Sequence, residues 1–310
     1  VVVVGAGAIG MATALVLQER GHRVEVWAKH EPAATVSAVA GAIWYPFLAE
    51  PRERVRQWAA VTWRRLAELA RDPASGVAMQ VVTEVFATAE PDLWWAAAVP
   101  SLAWLPPAAV PAGRAAAVQL EVPVCDVPVH LPWLWRTFVQ RGGVVRQRAV
   151  TSLDEAFAAA PCVVNCTGLG AAALCGDRSL QPVRGQVVVV ERKPGIAAWI
   201  DDTGAAPCYV IPRGDEIVLG GTAQPGDLRA DADPNDTAAI LARVAAQVPG
   251  LQRPQVREVK VGLRPCRPTV RLEAERLAGG RRLVHNYGHG GSGYTLAWGC
   301  AEEVAALLEA

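Results

Sequence analysis

The sequence predicts an α/β fold in which a Rossmann-like parallel unit is interleaved with an α+β unit built on a long antiparallel or mixed sheet. Three observations predict it. An all-apolar run, Val1–Val4, leads directly into Gly5-x-Gly7-x-x-Gly10 and a helical stretch. Near the other end, between Arg282 and Leu308, a strand, a glycine-rich loop and a helix again follow one another. Between them lie antiparallel signals, clearest in Cys208–Pro212 and Glu216–Leu219 around the turn Arg213-Gly214-Asp215. Parallel-type strands therefore stand at both ends and near the middle, so the two units are woven together rather than strung in series.

Each element follows from local chemistry. Val1–Val4 contains no polar residue and reads as a strand buried on both faces. Met11–Arg20 carries apolar residues at helical spacing, Leu15 and Val16 among them, and stops at Gly21, a good C-terminal cap. Arg23–Trp27 is a second strand, completing the start of a right-handed βαβ unit. Thr35–Phe47 is small and then aromatic, a loop entering new structure. Glu53–Ala70 alternates Arg and Glu with Trp and Leu at helical spacing, with Arg52, Arg54 and Arg56 on a solvated face. Leu93–Val118 is rich in Ala and Pro; its Trp94, Trp95 and Trp104 read as packing residues rather than a stacking platform for bases. Leu134–Arg141 is helical and ends at Gly142-Gly143. Cys162–Cys166 is a buried strand ending in small polar residues, and Gln186–Glu191 is another. A helix capped by Asp236-Thr237 runs to Gln247. Val256–Leu263 is a strand that ends at Arg264-Pro265. Arg282–Tyr287 is a further strand, Gly288–Gly293 a loop, and Tyr294–Leu308 a closing helix.

Bulk composition narrows the function. The 310 residues are 52% hydrophobic. At roughly 100–200 residues per domain, that is enough for two domains and a large core. Thirty basic residues balance 30 acidic ones, which argues against nucleic acid as a partner, since phosphates call for a basic excess. No apolar run approaches the roughly 20 residues of a membrane span and no signal peptide stands out. The expected location is therefore cytoplasmic. Seven cysteines without a CxxC pair read as small buried hydrophobes in a reducing compartment, with a bridge between two of them left open. No metal site is expected.

Four features carry chemistry. In Gly5-Ala6-Gly7-Ala8-Ile9-Gly10, the first glycine allows a tight turn, the second lets backbone amides approach a pyrophosphate, and the third lets helix pack on strand. The preceding strand and following helix supply the confirming context for a dinucleotide site. An acid for the ribose is expected about 20 residues on; Lys29 and His30 stand there instead, with Glu31 beside them. Lys29 would face an adenosine phosphate or simply be solvated. In His285–Thr295, four glycines in six residues suggest close backbone approach to a ligand. A helix start aimed at a reduced flavin would stabilise its negative charge. His289 in that loop reads as structural in preference to an acid–base group. Finally, Tyr209 begins a strand and Arg264 closes one. Arg264 calls for a bidentate carboxylate, from a ligand or from an acid of the chain itself.

At these residues the sequence resembles the D-amino-acid oxidase family over nearly its whole length. The resemblance is carried by VVVVGAGAIG, AGAIWYPF, VVNCTGLGA, the RGQ of Arg184–Gln186, YVIPRGDEIVLGGT, VGLRPCRPTVRLE and HNYGHGGSGYTLAWGCA. It implies a GR2-like FAD-binding domain formed by residues 1–47, 126–180 and 270–310, and a substrate domain formed by 48–125 and 181–269. It implies FAD as cofactor, a small D-amino acid and O2 as partners, and a homodimer as a candidate assembly. Arg264 then matches the arginine that grips the substrate carboxylate, and Tyr209 the tyrosine that helps it. Gly291 matches the glycine whose carbonyl holds the amine, and Tyr45 lies in the pocket wall. Thr35, Val36, Ser37, Gly41, Ala42 and Ile43 match the loop that wraps the flavin and ADP moiety. Val150 and Thr167 match FAD contacts, and Gly290, Gly293, Tyr294 and Thr295 match the turn at the isoalloxazine. The family transfers hydride from Cα to flavin without a side-chain base.

The chain departs from the family in its lid. The stretch Asp201–Ala206 is short, with Ala205 where vertebrate-type members carry a tyrosine. Ala223 follows Gly-Gly-Thr where yeast-type members have a tyrosine and the D-aspartate oxidase branch an arginine. These departures predict a preference for neutral, apolar D-amino acids. D-aspartate oxidase and a glycine or sarcosine-type oxidase are the alternatives within the resemblance. An NAD-dependent dehydrogenase or a non-catalytic flavin binder lies outside it.

Overall fold

The N-terminal apolar run forms β1 (Val2–Val4), and the glycine turn after it opens α1 (Ala8–Glu19), followed by β2 (Glu25–Ala28). The structure, a computed structural model, describes residues 1–310 other than Asp202 and Ala205; the expectation placed on Ala205 lies outside the described residues. Next come α2 (Arg52–Leu69), β3 (Val77–Phe86), β4 (Ala103–Trp104), β5 (Ala116–Cys125), α3 (Val127–Gln140), β6 (Val144–Gln147), α4 (Leu153–Phe157), β7 (Cys162–Asn165) and α5 (Ala171–Cys175). The rest of the chain holds β8 (Gln181–Glu191), β9 (Ala198–Asp201), β10 (Cys208–Arg213), β11 (Glu216–Gly220), β12 (Gln224–Pro225), α6 (Pro234–Gln247), β13 (Val256–Arg276), β14 (Arg282–His289) and α7 (Gly293–Glu309).

One mixed sheet runs in the order β4-β5-β3-β9-β10-β11-β8-β13-β14-β7-β1-β2-β6, with β12 beside β8. The stretch β14-β7-β1-β2-β6 is parallel throughout, as the βαβ reading requires. From β9 to β14 every neighbouring pair is antiparallel. The two regions are joined by β13, which is 21 residues long. It pairs with β8 as far as Cys266 and with β14 at Cys266 and again from Arg271, with a register shift between. Helix α1 buries Leu15, Val16 and Leu17, and α7 buries Leu296, Trp298 and Val304, in one continuous core with Trp58 and Leu66 of α2. Each such side chain contributes about 1.5–3 kcal/mol by leaving water.

Several boundaries differ from the sequence reading. Strand β13 continues through Arg264-Pro265 instead of ending there, so Arg264 lies within a strand. Pro265 is tolerated because it faces Pro182, and its carbonyl still accepts from the Gly290 N–H at 3.0 Å. Strand β14 extends through His289, which pairs with Cys266, leaving Gly290–Ser292 as the loop. Helix α6 is capped by Asp233, whose carboxylate accepts from Asn235 N at 2.8 Å, not by Asp236, which is engaged elsewhere. Helix α3 begins at Val127 and carries Pro132 within it, held by the buried His130, Leu131, Leu134 and Phe138. Strands β3 and β5 have no counterpart in the sequence reading. All seven cysteines are unbridged.

Candidate active site

A cavity of about 840 Å³ opens between the parallel and antiparallel parts of the sheet, at a size typical of cofactor sites. One end is formed by Gly5, Ala6, Gly7 and Ile9, with Lys29, His30 and Val150 around them. Its middle is walled by Thr35, Val36, Ser37, Gly41, Ala42, Ile43 and Thr167. The other end holds Tyr45, Tyr209, Arg264, Gly290, Gly291, Gly293 and Tyr294. Residues 288 positions apart thus meet in one space, because β1 and β14 flank β7 and each feeds its helix from the same sheet edge.

Three expected contacts sit behind the wall instead. Gly10 is buried, and a Cβ there would collide with the Gly5 carbonyl, so its role is to let α1 pack on the turn. The Ala8 N–H donates to Ser37 Oγ at 2.9 Å, tying the wrapping loop to the turn. Thr295 is buried and bonds the backbone of Tyr45.

Both ends suit an anionic dinucleotide. Gly5 has φ +113°, a conformation side-chain-bearing residues avoid. A Cβ on Gly7 would stand 2.9 Å from Ser37 Oγ. Neither α1 nor α7 carries a side-chain cap or an acid in its first turn, so their positive ends are unopposed. Asp201, at the far end, is the one carboxylate among the described lining residues. No carboxylate of the described residues lines the end at Gly5–Ile9. That end carries Lys29, His30 and Arg148, the last lying 4.4 Å over the Trp27 ring and paired with Glu155. Arg148 and Trp27 were missed from sequence, since nothing local pairs a strand tryptophan with an arginine 121 residues on.

The other end is built around Arg264. Its Nη1 donates to the Thr222 carbonyl at 2.9 Å, and its guanidinium lies 5.9 Å from the Phe47 ring centroid. No carboxylate of the described residues pairs with it. Four other inward arginines differ in this respect: Arg184 meets Asp236, Arg213 meets Glu216, Arg267 meets Asp177 and Arg271 meets Glu273. Burial raises the Tyr209 hydroxyl above its ordinary value, and the Arg264 charge and hydrogen bonding oppose the rise. The Tyr45 hydroxyl donates to Glu84 of β3 at 2.7 Å. Glu84 lines an adjoining cavity of about 770 Å³ together with Tyr45, Phe47 and Trp95. The sequence reading missed Glu84; the signal was a polar residue within a strand it had not drawn. Ala223 lines neither cavity.

His289 is wholly buried, and burial alone lowers its pKa to about 3. It stays neutral near pH 7 and is a poor proton acceptor, which favours the structural reading. Its Nε2 has no hydrogen-bond partner among the described residues. Ala42 and Leu48 take left-handed φ of 59° and 54°, bracketing the Ile43–Phe47 wall with two strained positions.

A cavity lined by two glycine turns at helix starts, with an arginine at one end that no carboxylate of the described residues meets, is that of a dinucleotide-binding protein with a place for a small anion. Residues 1–307 match the family described as FAD dependent oxidoreductase, and the chain belongs to that family, among the D-amino-acid oxidases. A D-amino-acid oxidase of Rubrobacter xylanophilus is 43% identical over 100% of this chain and 95% of its own length. One of Streptomyces coelicolor is 46% identical over 99% and 96%. Human D-aspartate oxidase is 35% identical over 99% and 94%. The solved glycine oxidase of Geobacillus kaustophilus, 20% identical, shares the fold with a TM-score of 0.83, covering 99% of this chain and 94% of its own. The cofactor is FAD and the protein is a flavin-dependent oxidoreductase. Among the described residues no group of side chains could hold a metal ion, and no helix is long and apolar enough to cross a membrane.

Proposed function

We propose that this enzyme oxidises D-amino acids with neutral, apolar side chains to 2-oxo acids, ammonia and hydrogen peroxide. The observation that carries the reading is the Arg264 guanidinium lining the flavin cavity, paired with no carboxylate of the described residues. A substrate carboxylate would complete it bidentately, with the Tyr209 hydroxyl as a further donor. The Gly291 carbonyl would take the amine, and Tyr45 would wall the side chain. Bound FAD supplies the redox chemistry: acceptance of the Cα hydrogen as hydride at N5 and delivery of both electrons to O2. The chain's own contribution is orientation. Clamping carboxylate and amine presents one face of Cα to the cofactor, and no side chain need act as base.

Neutral substrates are favoured over D-aspartate because the carboxyl of Glu84 lines the adjoining cavity, while Arg52 and Arg267 there are already paired with Asp92 and Asp177. In the cofactor half, the same reading assigns Gly5, Ala6, Gly7 and Ile9 to the pyrophosphate, Thr35–Ser37 and Gly41–Ile43 to the wrapping loop, and Gly290, Gly293 and Tyr294 to the ring. Residues 1–47, 126–180 and 270–310 would form the cofactor domain and 48–125 and 181–269 the substrate domain. The register shift between Cys266 and Arg271 supports the last of those boundaries. Seven unbridged cysteines support a reducing, cytoplasmic setting.

The test is a peroxide assay on FAD-loaded protein across D- and L-amino acids. D-selective turnover highest for apolar side chains is expected. Equal rates on both enantiomers, or a preference for D-aspartate, would reject the reading.

A further inference from the structure

The Arg184-Gly185-Gln186 and Gly220-Gly221-Thr222 segments have no assigned role in binding, yet both lie directly under the substrate groups. Strand β8 alternates its faces. Gly185 pairs with Gly262 and Val183 with Arg264, so Gly185, Gly262 and Arg264 share one face. Arg184 and Gln186 project to the other. There Arg184, wholly buried, donates to the carbonyls of Arg229 and Asp231, to Gln224, to Gln186 and to Asp236, at 2.7 to 3.0 Å. Gln186 joins the same segment through Asp233 and Thr237, each at 2.8 Å. The backbone between these two anchors cannot yield easily.

On the cavity face the guanidinium of Arg264 rests on bare backbone. A Cβ added to Gly185 would fall at or inside 2.5 Å of Cζ, Nη1 and Nη2. On the neighbouring pair, Tyr209 faces Gly220, and a Cβ there would collide with the phenol ring and its hydroxyl. The same segments supply the hydrogen bonds. Gln186 N donates to Thr222 Oγ1 at 2.8 Å, and the Thr222 carbonyl accepts from Arg264 at 2.9 Å.

We propose that Gly185 and Gly220 are positioning residues: their bare α-carbons form a floor under Arg264 and Tyr209 that sets the depth at which a substrate carboxylate is held. The alternation Arg-Gly-Gln follows from this, with polar anchors on one face and an absent side chain on the other. The inference rests on the proposed D-amino-acid oxidation.

The test uses the FAD-loaded enzyme with D-alanine as substrate and propanoate, the same carboxylate without the amine, as competitor. Gly185→Ala should displace the flexible guanidinium without unfolding the sheet. The propanoate inhibition constant and the KM for D-alanine should rise roughly tenfold or more, the scale of one lost charge-assisted hydrogen bond. FAD affinity and melting temperature should stay near wild type. The decisive comparison is Gly185→Ala in an Arg264→Ala background, where it should add nothing. Unchanged propanoate binding in the single variant, or an equal loss in both backgrounds, overturns the proposal. If Gly185→Ala does not fold but the double variant does, the contact is upheld; if neither folds, the glycine is structural and the proposal falls. Gly220→Ala tested against Tyr209→Ala gives an independent second cycle. A wild-type enzyme without D-selective turnover would instead reject the underlying activity, whatever the variants do.

Discussion

Thr295 holds Tyr45 on both sides of its backbone: the Tyr45 N–H donates to Oγ1 at 3.1 Å, and Oγ1 donates to the Tyr45 carbonyl at 2.9 Å. Ser292 does the same for Phe47, at 2.6 Å and 2.8 Å. Two hydroxyls at the start of α7 thus act as a substitute neighbouring strand for the wall of the site. Thr295→Val keeps the shape and removes both bonds to the partly buried backbone of Tyr45. It should lower unfolding free energy by about 1–3 kcal/mol, with Thr295→Ser costing less. Urea titration of the FAD-loaded protein measures this, and an unchanged midpoint would count against the clamp.

Arg264 provides a second test. Arg264→Ala should raise KM by orders of magnitude, in line with the roughly 2–5 kcal/mol lost when one partner of a buried charge pair is removed. Arg264→Lys keeps the charge but lacks the planar fork, and should fall between. Steady-state kinetics with FAD occupancy measured in parallel separate this from loss of cofactor. A KM left at the wild-type value would show that the carboxylate binds elsewhere.

Tyr209 should act as a neutral donor throughout the working range. Burial raises its hydroxyl above the ordinary value of 10.0, and Arg264 only partly opposes this. Tyr209→Phe should therefore raise KM by about the worth of one hydrogen bond, near 1 kcal/mol. It should leave the shape of the pH profile between 7 and 9 unchanged. A new shape there would mean the phenol ionises during turnover.

Acid sensitivity is written into His130. Burial brings its pKa from 6.5 to about 4, while its Nδ1 meets the Ser75 carbonyl at 2.7 Å. Above pH 6.5 neither the folded nor the unfolded chain protonates it, and the folded state keeps its full stability. Between 6.5 and about 4 the unfolded chain takes up a proton that the folded one refuses, so stability falls as pH falls and levels off below about 4. The full effect is on the order of 3 kcal/mol, and His289 adds loss in the same direction down to about pH 3. Urea midpoints at pH 7 and 4.5 should differ, and His130→Gln should narrow the difference.

Local chemistry was enough for the glycine turn after β1, the hairpin of β10 and β11, and the helix start after β14. In each, the backbone must do something within a few residues that only certain side chains permit: φ of +113° at Gly5, or a reversal at Gly214. The acceptor of Arg264 and the placing of Thr295 behind the wall rather than against the ring depended on tertiary structure. So did the presence of β3 and β5 and the meeting of Tyr45 with Glu84. Strand β3 hides a buried Glu84 among its apolar residues, so its pattern reads as broken until the hydroxyl that accounts for it is brought in from another segment. Such pairings join residues tens to hundreds apart, and they exist only once the sheet's order and register have put the strands side by side.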